Sequence, residues 1–276
     1  MAPPSPPPPA DVVAREADAA PVLPAGFVDR RAHIFDVPAT VFRGFRPTYD
    51  AVNATYLAAR TRQHLAGSLP DVVEWLVKSW EAEVSHKPHA SDIKSVAPGW
   101  TITTNGGQPT SLEAFLARGS YNALMGPEDG YDPAAHTFES SHDAFRSAFS
   151  GGFAWEVTEV WSGPPKVAFA WHHFGVMAGA YGEHPVTGRM VHLYGAAVAN
   201  TVGAGADLKI GSIEVFYDPT SLLHQLQDKP GAFNLSTSVD EGGGCPLGFG
   251  RSTAGDYWKG RAVNGRGGGA GVRARL

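Results

Sequence analysis

Residues 153–226 constrain the fold more than any other part of the chain. They read FAWEVTEVWSGPPKVAFAWHHFGVMAGAYGEHPVTGRMVHLYGAAVANTVGAGADLKIGSIEVFYDPTSLLHQL, β-rich runs divided by turn-rich breaks and closed by a short helical tag. Period-2 runs between Gly, Pro, Asn and Asp clusters predict antiparallel strands joined as a four-stranded meander. In the first run Phe153, Trp155, Val157, Glu159 and Trp161 share a face. In the second, Val167, Phe169, Trp171 and His173 share a face, with Ala168, Ala170 and His172 opposite. Residues 190–201 and 210–217 supply the third and fourth strands. On the fourth, Ile210, Ser212, Glu214 and Phe216 lie on one face and Ile213, Val215 and Tyr217 on the other. Residues 221–226 form the closing helix. A sheet of this size needs one face covered, so function is sought on its inner face.

The cover lies upstream. Residues 48–62 predict a first helix, with Val52, Tyr56 and Ala59 at helical spacing. Residues 69–86, capped by Ser68, predict a longer one whose apolar stripe is Val73, Leu76, Val77, Trp80 and Val84. Its opposite face carries Glu74, Lys78, Glu81 and His86. Residues 99–104 read as a short strand ending in an Asn105-Gly106 turn. A helix over 112–118 ends at Gly119, and a loop rich in turn signals follows. A further helix is expected over 141–149, capped by Ser141. The aromatics of 27–45 have no period and suggest an ordered arm on the domain.

Composition narrows the function classes. Residues 1–25 open with PPSPPPP and favour an extended proline-rich spacer, and residues 240–276 are glycine-rich, basic and without apolar period. Both are expected to be disordered, leaving one domain over 26–239. A formal net charge of −5 gives no case for nucleic-acid binding by that domain. A single cysteine excludes a disulfide framework and fits a reducing compartment. No run is apolar enough to span a membrane, and the N-terminal segment lacks the pattern of a secretory signal, so a cytoplasmic location is expected.

The chain resembles the SnoaL-like group of the nuclear transport factor 2-like superfamily, and within it the plant pathogen-related proteins. The resemblance rests on VKSWEAEVSHK (77–87), GSYNAL (119–124), Ser140-Ser141-His142, SGPP (162–165), HPVTG (184–188) and EVFYDPTSLL (214–223), in that order. It implies a conical α+β fold, a curved antiparallel sheet wrapped around helices with a pocket at the open end. It also implies dimerisation through the outer sheet face. Superfamily activities include cyclisation, isomerisation, dehydration and plain ligand binding. The catalytic aspartate of SnoaL-type cyclases belongs on the strand matching 190–201, which reads MVHLYGAAVANT and has no carboxylate. That mechanism therefore does not carry over.

The residues leave three functions open. One is binding of a small apolar or phenolic ligand in the cone, with Trp80, Tyr121, Phe169, Trp171 and Phe216 as its contacts. A second is a cofactor-independent isomerase, cyclase or dehydratase in which Glu214 moves a proton and His173 or Tyr194 supports an oxyanion. The third is a dimeric interaction scaffold. No metal or cofactor is expected. His86 and His89 are separated by Pro88, while His184 and His192 sit across a loop with no carboxylate at ligand spacing. Cys245 sits in a glycine run, and no phosphate-binding loop or nucleophile elbow is present.

Overall fold

The computed structural model describes residues 21, 23–127 and 130–229. The proline-rich segment and the basic glycine-rich tail, with Cys245, lie outside the described residues apart from 21 and 23–25.

A six-stranded sheet runs in the order β2-β1-β6-β5-β4-β3. Its core is the expected meander: β3 (Ala154–Ser162), β4 (Lys166–Val176), β5 (Met190–Val202) and β6 (Lys209–Tyr217), each antiparallel to the next. The strand expected at 99–104 begins earlier, as β1 (Val96–Thr104), and lies parallel to β6. A two-residue strand, β2 (Thr110–Ser111), closes that edge. Register shifts interrupt the β3/β4 ladder after Val157 and Val160 and the β5/β6 ladder after Asn200. Bulges of this kind add twist and bend, and they turn the sheet into the curved wall of the conical α+β fold.

The concave face is filled by α3 (Leu69–His86). Its limits follow from local chemistry. Ser68 accepts from the Asp71 N–H, and Asp71 also accepts from Gly67 N–H at 2.8 Å and Arg30 at 2.6 Å. Trp80 packs at 5.8 Å from Trp100 and 6.0 Å from Phe115, so the helix joins the sheet through a ring cluster. The first helix is shorter than expected, as α2 (Asp50–Ala59), and the arm carries a single turn, α1 (Ala32–Phe35).

Two expectations about the helices are corrected. The segment after α4 (Leu112–Arg118) is not all loop, because Ser120–Met125 forms α5. Asn122 holds it: its amide donates to the carbonyls of Arg118, His136 and Thr137, and Tyr131 donates to its oxygen. The helix expected from Ser141 starts earlier, as α6 (Phe138–Ala148), because Thr137 and Ser140 form a reciprocal cap. Ser141 is instead fully buried and donates to the Phe138 carbonyl. The charged face of α3 is buried against its neighbours: Glu74 and Lys78 are only 2% and 6% exposed. The closing helix is α7 (Pro219–Leu226), capped by Asp218.

Candidate functional site

Between α3 and the curved sheet lies a cavity of about 160 Å³. From the sheet, β3 contributes Trp155, β4 Phe169, Trp171 and His173, β5 Leu193 and Ala197, and β6 Ile213, Val215 and Tyr217. The helices supply Val77, Lys78, Trp80 and Glu81 from α3, Tyr56 from α2 and Tyr121 and Leu124 from α5. The walls are mostly hydrocarbon and ring faces.

One glycine shapes this wall. Gly195 lies opposite Trp171 on β4 and Tyr217 on β6. A Cβ there would stand 2.3 Å from Trp171 Cζ2 and 2.6 Å from the Phe216 carbonyl oxygen. Only a residue without a side chain lets the indole lie against the strand backbone.

The charged groups of the cavity wall come from α3 and the arm. Lys78 Nζ donates to Glu74 Oε1 at 2.8 Å and lies 3.3 Å from the centre of the Tyr56 ring. Glu74 also accepts from Tyr56 Oη at 2.5 Å and from the Val157 N–H at 2.9 Å. Burial pulls the Lys78 ammonium down to about 8, against the opposing pull of Glu74. Arg31, 2% exposed, donates to Asn53 at 2.5 Å and twice to Asp29 at 2.9 Å. Burial would raise the Asp29 carboxyl, but the bonds and charge of Arg31 hold it below its usual range.

Glu81 accepts from Tyr49 Oη at 3.0 Å and Ser85 Oγ at 3.1 Å. Burial pushes its carboxyl up, outweighing the opposing effects of Arg31, Tyr49 and Ser85. A second hollow, of about 290 Å³, opens beside α6 and shares Val52, Glu81, Tyr121 and Phe153 with the first. Those four residues form the partition between the two. The Trp80 indole N–H is buried and has no hydrogen-bond partner.

The expected residues divide between the two faces of the sheet. Trp80, Tyr121, Phe169, Trp171 and His173 line the cavity together. His173 Nε2 lies 3.3 Å from the Phe153 carbonyl, and burial pushes the ring down to about 3, so it is neutral at physiological pH. Glu214, Phe216 and Tyr194 do not join them. The register pairs Phe169 with Ala197 and Ala197 with Val215, so these three share the inner face, and Glu214 and Phe216 alternate with Val215 onto the outer one. Glu214 as an acid or base inside the cone, and Phe216 as a ligand contact, are corrected on that ground. Tyr194 stacks on His172 at 4.3 Å, also on the outer face. Trp161 is 52% exposed and outside the cavity wall.

Sequence reasoning missed Glu81, Lys78 and Arg31. The one available signal was their partnership in charge: Asp29, Arg30 and Arg31 in the arm can neutralise a charged helix face if the arm lies on it. It also missed a chain on the outer face, in which His172 Nδ1 meets Glu156 Oε1 at 2.9 Å and His172 Nε2 meets His192 Nδ1 at 2.9 Å. Glu156 is fully buried and also accepts from Thr61 and the Arg62 N–H. Among the described residues, no three His, Cys, Asp or Glu side chains are grouped to hold a metal. No helix among them is long and apolar enough to cross a membrane.

The pathogen-related protein of Hordeum vulgare is 37% identical to this chain over 217 residues, covering 75% of this chain and 88% of the relative. No family model matches. Among solved structures, a protein with a ketosteroid isomerase-like fold from Catenulispora acidiphila is 13% identical, over 58% of this chain and 96% of that one, with a TM-score of 0.32. A nuclear transport factor 2-like protein from Burkholderia thailandensis is 19% identical, over 58% and 95%, with a TM-score of 0.28. Likeness at those scores carries no argument about chemistry.

Proposed function

The chain belongs to the pathogen-related protein family, and on that premise we propose that it binds a small apolar or phenolic compound in the cone, in a defence or stress response. One observation carries the reading: a cavity of about 160 Å³ walled by Trp80, Phe169, Trp171 and Tyr217, with its few polar groups concentrated on the helical side. An apolar protein cavity of about 150 Å³ accepts a benzene ring. The volume therefore suits one substituted ring.

The test is mass spectrometry of the compound released from natively purified protein, beside an Ala197→Phe variant that fills the cavity. A one-ring compound from the native protein, absent from the variant, supports the reading. Equal recovery from both would overturn it.

A second reading, turnover by a cofactor-independent isomerase, cyclase or dehydratase, is favoured by Glu81. Its half-buried carboxyl, raised by desolvation, stands on the cavity wall in the role first expected of Glu214. Glu81→Gln separates the two readings, since it abolishes turnover and leaves binding of a neutral ring within about threefold.

A further inference from the structure

We propose that Lys78 is a covalent capture site for carbonyl compounds, its amine forming an imine with a one-ring aromatic aldehyde held in the cavity. This rests on the ligand reading above and adds chemistry to it.

Lys78 lines the cavity with 6% of its surface exposed, and its one hydrogen bond goes to Glu74. An ammonium carries three donors. The other two N–H groups face ring surfaces, Tyr56 at 3.3 Å and Trp75 at 4.9 Å, or the cavity itself. Burial brings the group down to about 8, so an appreciable fraction is free amine near neutral pH. Lys87 is an internal control. It is equally buried and pairs with Glu83 at 2.9 Å in the same i, i+4 arrangement, but it also donates to the Asp92 carbonyl and takes no part in the cavity wall.

The step needs no cofactor. Glu74, held in place by Tyr56 Oη and the Val157 N–H, takes a proton from the ammonium. The freed Nζ lone pair attacks the carbonyl carbon, and the new N–C bond forms as the C=O π pair moves to oxygen. Glu74 returns the proton to that oxygen, and a second exchange releases it as water when the C–O bond breaks. Net, ammonium and aldehyde give a protonated imine and water, and the imine keeps its ion pair with Glu74.

The test treats the full chain with benzaldehyde and sodium borohydride and maps the benzylated peptides. Benzyl alcohol, the same ring without a carbonyl, is followed in parallel by saturation-transfer NMR. The expected result is benzylation of Lys78 at least about tenfold above any other lysine, with a rate that rises to about pH 8 and then flattens. Lys78→Arg should lose the label. Labelling spread evenly over the lysines, or sparing Lys78, while benzyl alcohol binds, overturns the capture site and leaves the ligand reading intact. Binding of neither compound overturns both.

Discussion

At Gly195 the wall of the cavity depends on a missing side chain. A Cβ there would meet the Phe216 carbonyl oxygen at 2.6 Å, and a backbone atom has little room to yield. Gly195→Ala is therefore expected to cost about 1–3 kcal/mol in urea unfolding and to weaken ring binding about tenfold by tilting Trp171, read by calorimetry. Lys78 gives a second prediction. Lys78→Met leaves the Glu74 carboxylate buried without its cation, a change that costs about 3–5 kcal/mol, whereas Lys78→Arg keeps the charge and should lose less. Titration gives a third. Burial holds His173 at about 3 against an ordinary 6.5, so the fold favours the neutral ring. Above pH 6.5 its contribution is fully present. As the pH falls from there towards 3 the unfolded chain takes the proton first, and stability declines by up to about 1.4 kcal/mol per pH unit. The urea midpoint should fall between pH 7 and pH 5. His173→Gln should reduce that decline without removing it, because burial also holds His86 at about 3 and His142 and His192 at about 4.

Among the elements, α3 was the most legible, because its apolar stripe and Ser68 cap are both written locally. Its opposite face was not, since what covers Glu74, Lys78 and Glu81 is Tyr56 and Tyr49, with separations of 18 residues to Glu74 and 32 to Glu81, and helical period alone does not say which charges meet a partner. The strands show a similar split. Alternation along each was readable, but the register between strands decides which faces coincide, and register depends on turn lengths and bulges. That is why Glu214 and Phe216 were grouped with Phe169 and Trp171, although Val215 is the residue aligned with them through Ala197. The corrected placement makes a direct prediction. Glu214→Gln should leave ligand affinity within about twofold, as expected for a surface change away from the site, and a larger loss by calorimetry would contradict the register argument. α5 was missed because its stability comes from the Asn122 bonds to a later loop and not from its own six residues.

For the molecule as a whole, the sheet separates two roles. Its concave face holds the cavity. Its convex face carries Ala168, Ala170, Ala196 and Val198, all partly exposed, with Phe216 at 39% exposure. We propose that face as the contact of a homodimer, and Phe216→Glu should shift sedimentation towards the monomer without changing ligand affinity. The central claim concerns the other face: the cavity enclosed by α3 and the sheet is a binding site for one ring. The most direct measurement is a crystal structure of the protein grown with benzyl alcohol. The predicted result is a single ring among Trp80, Phe169 and Trp171. A cavity closed by its own side chains, with the alcohol absent or bound elsewhere, would contradict the account.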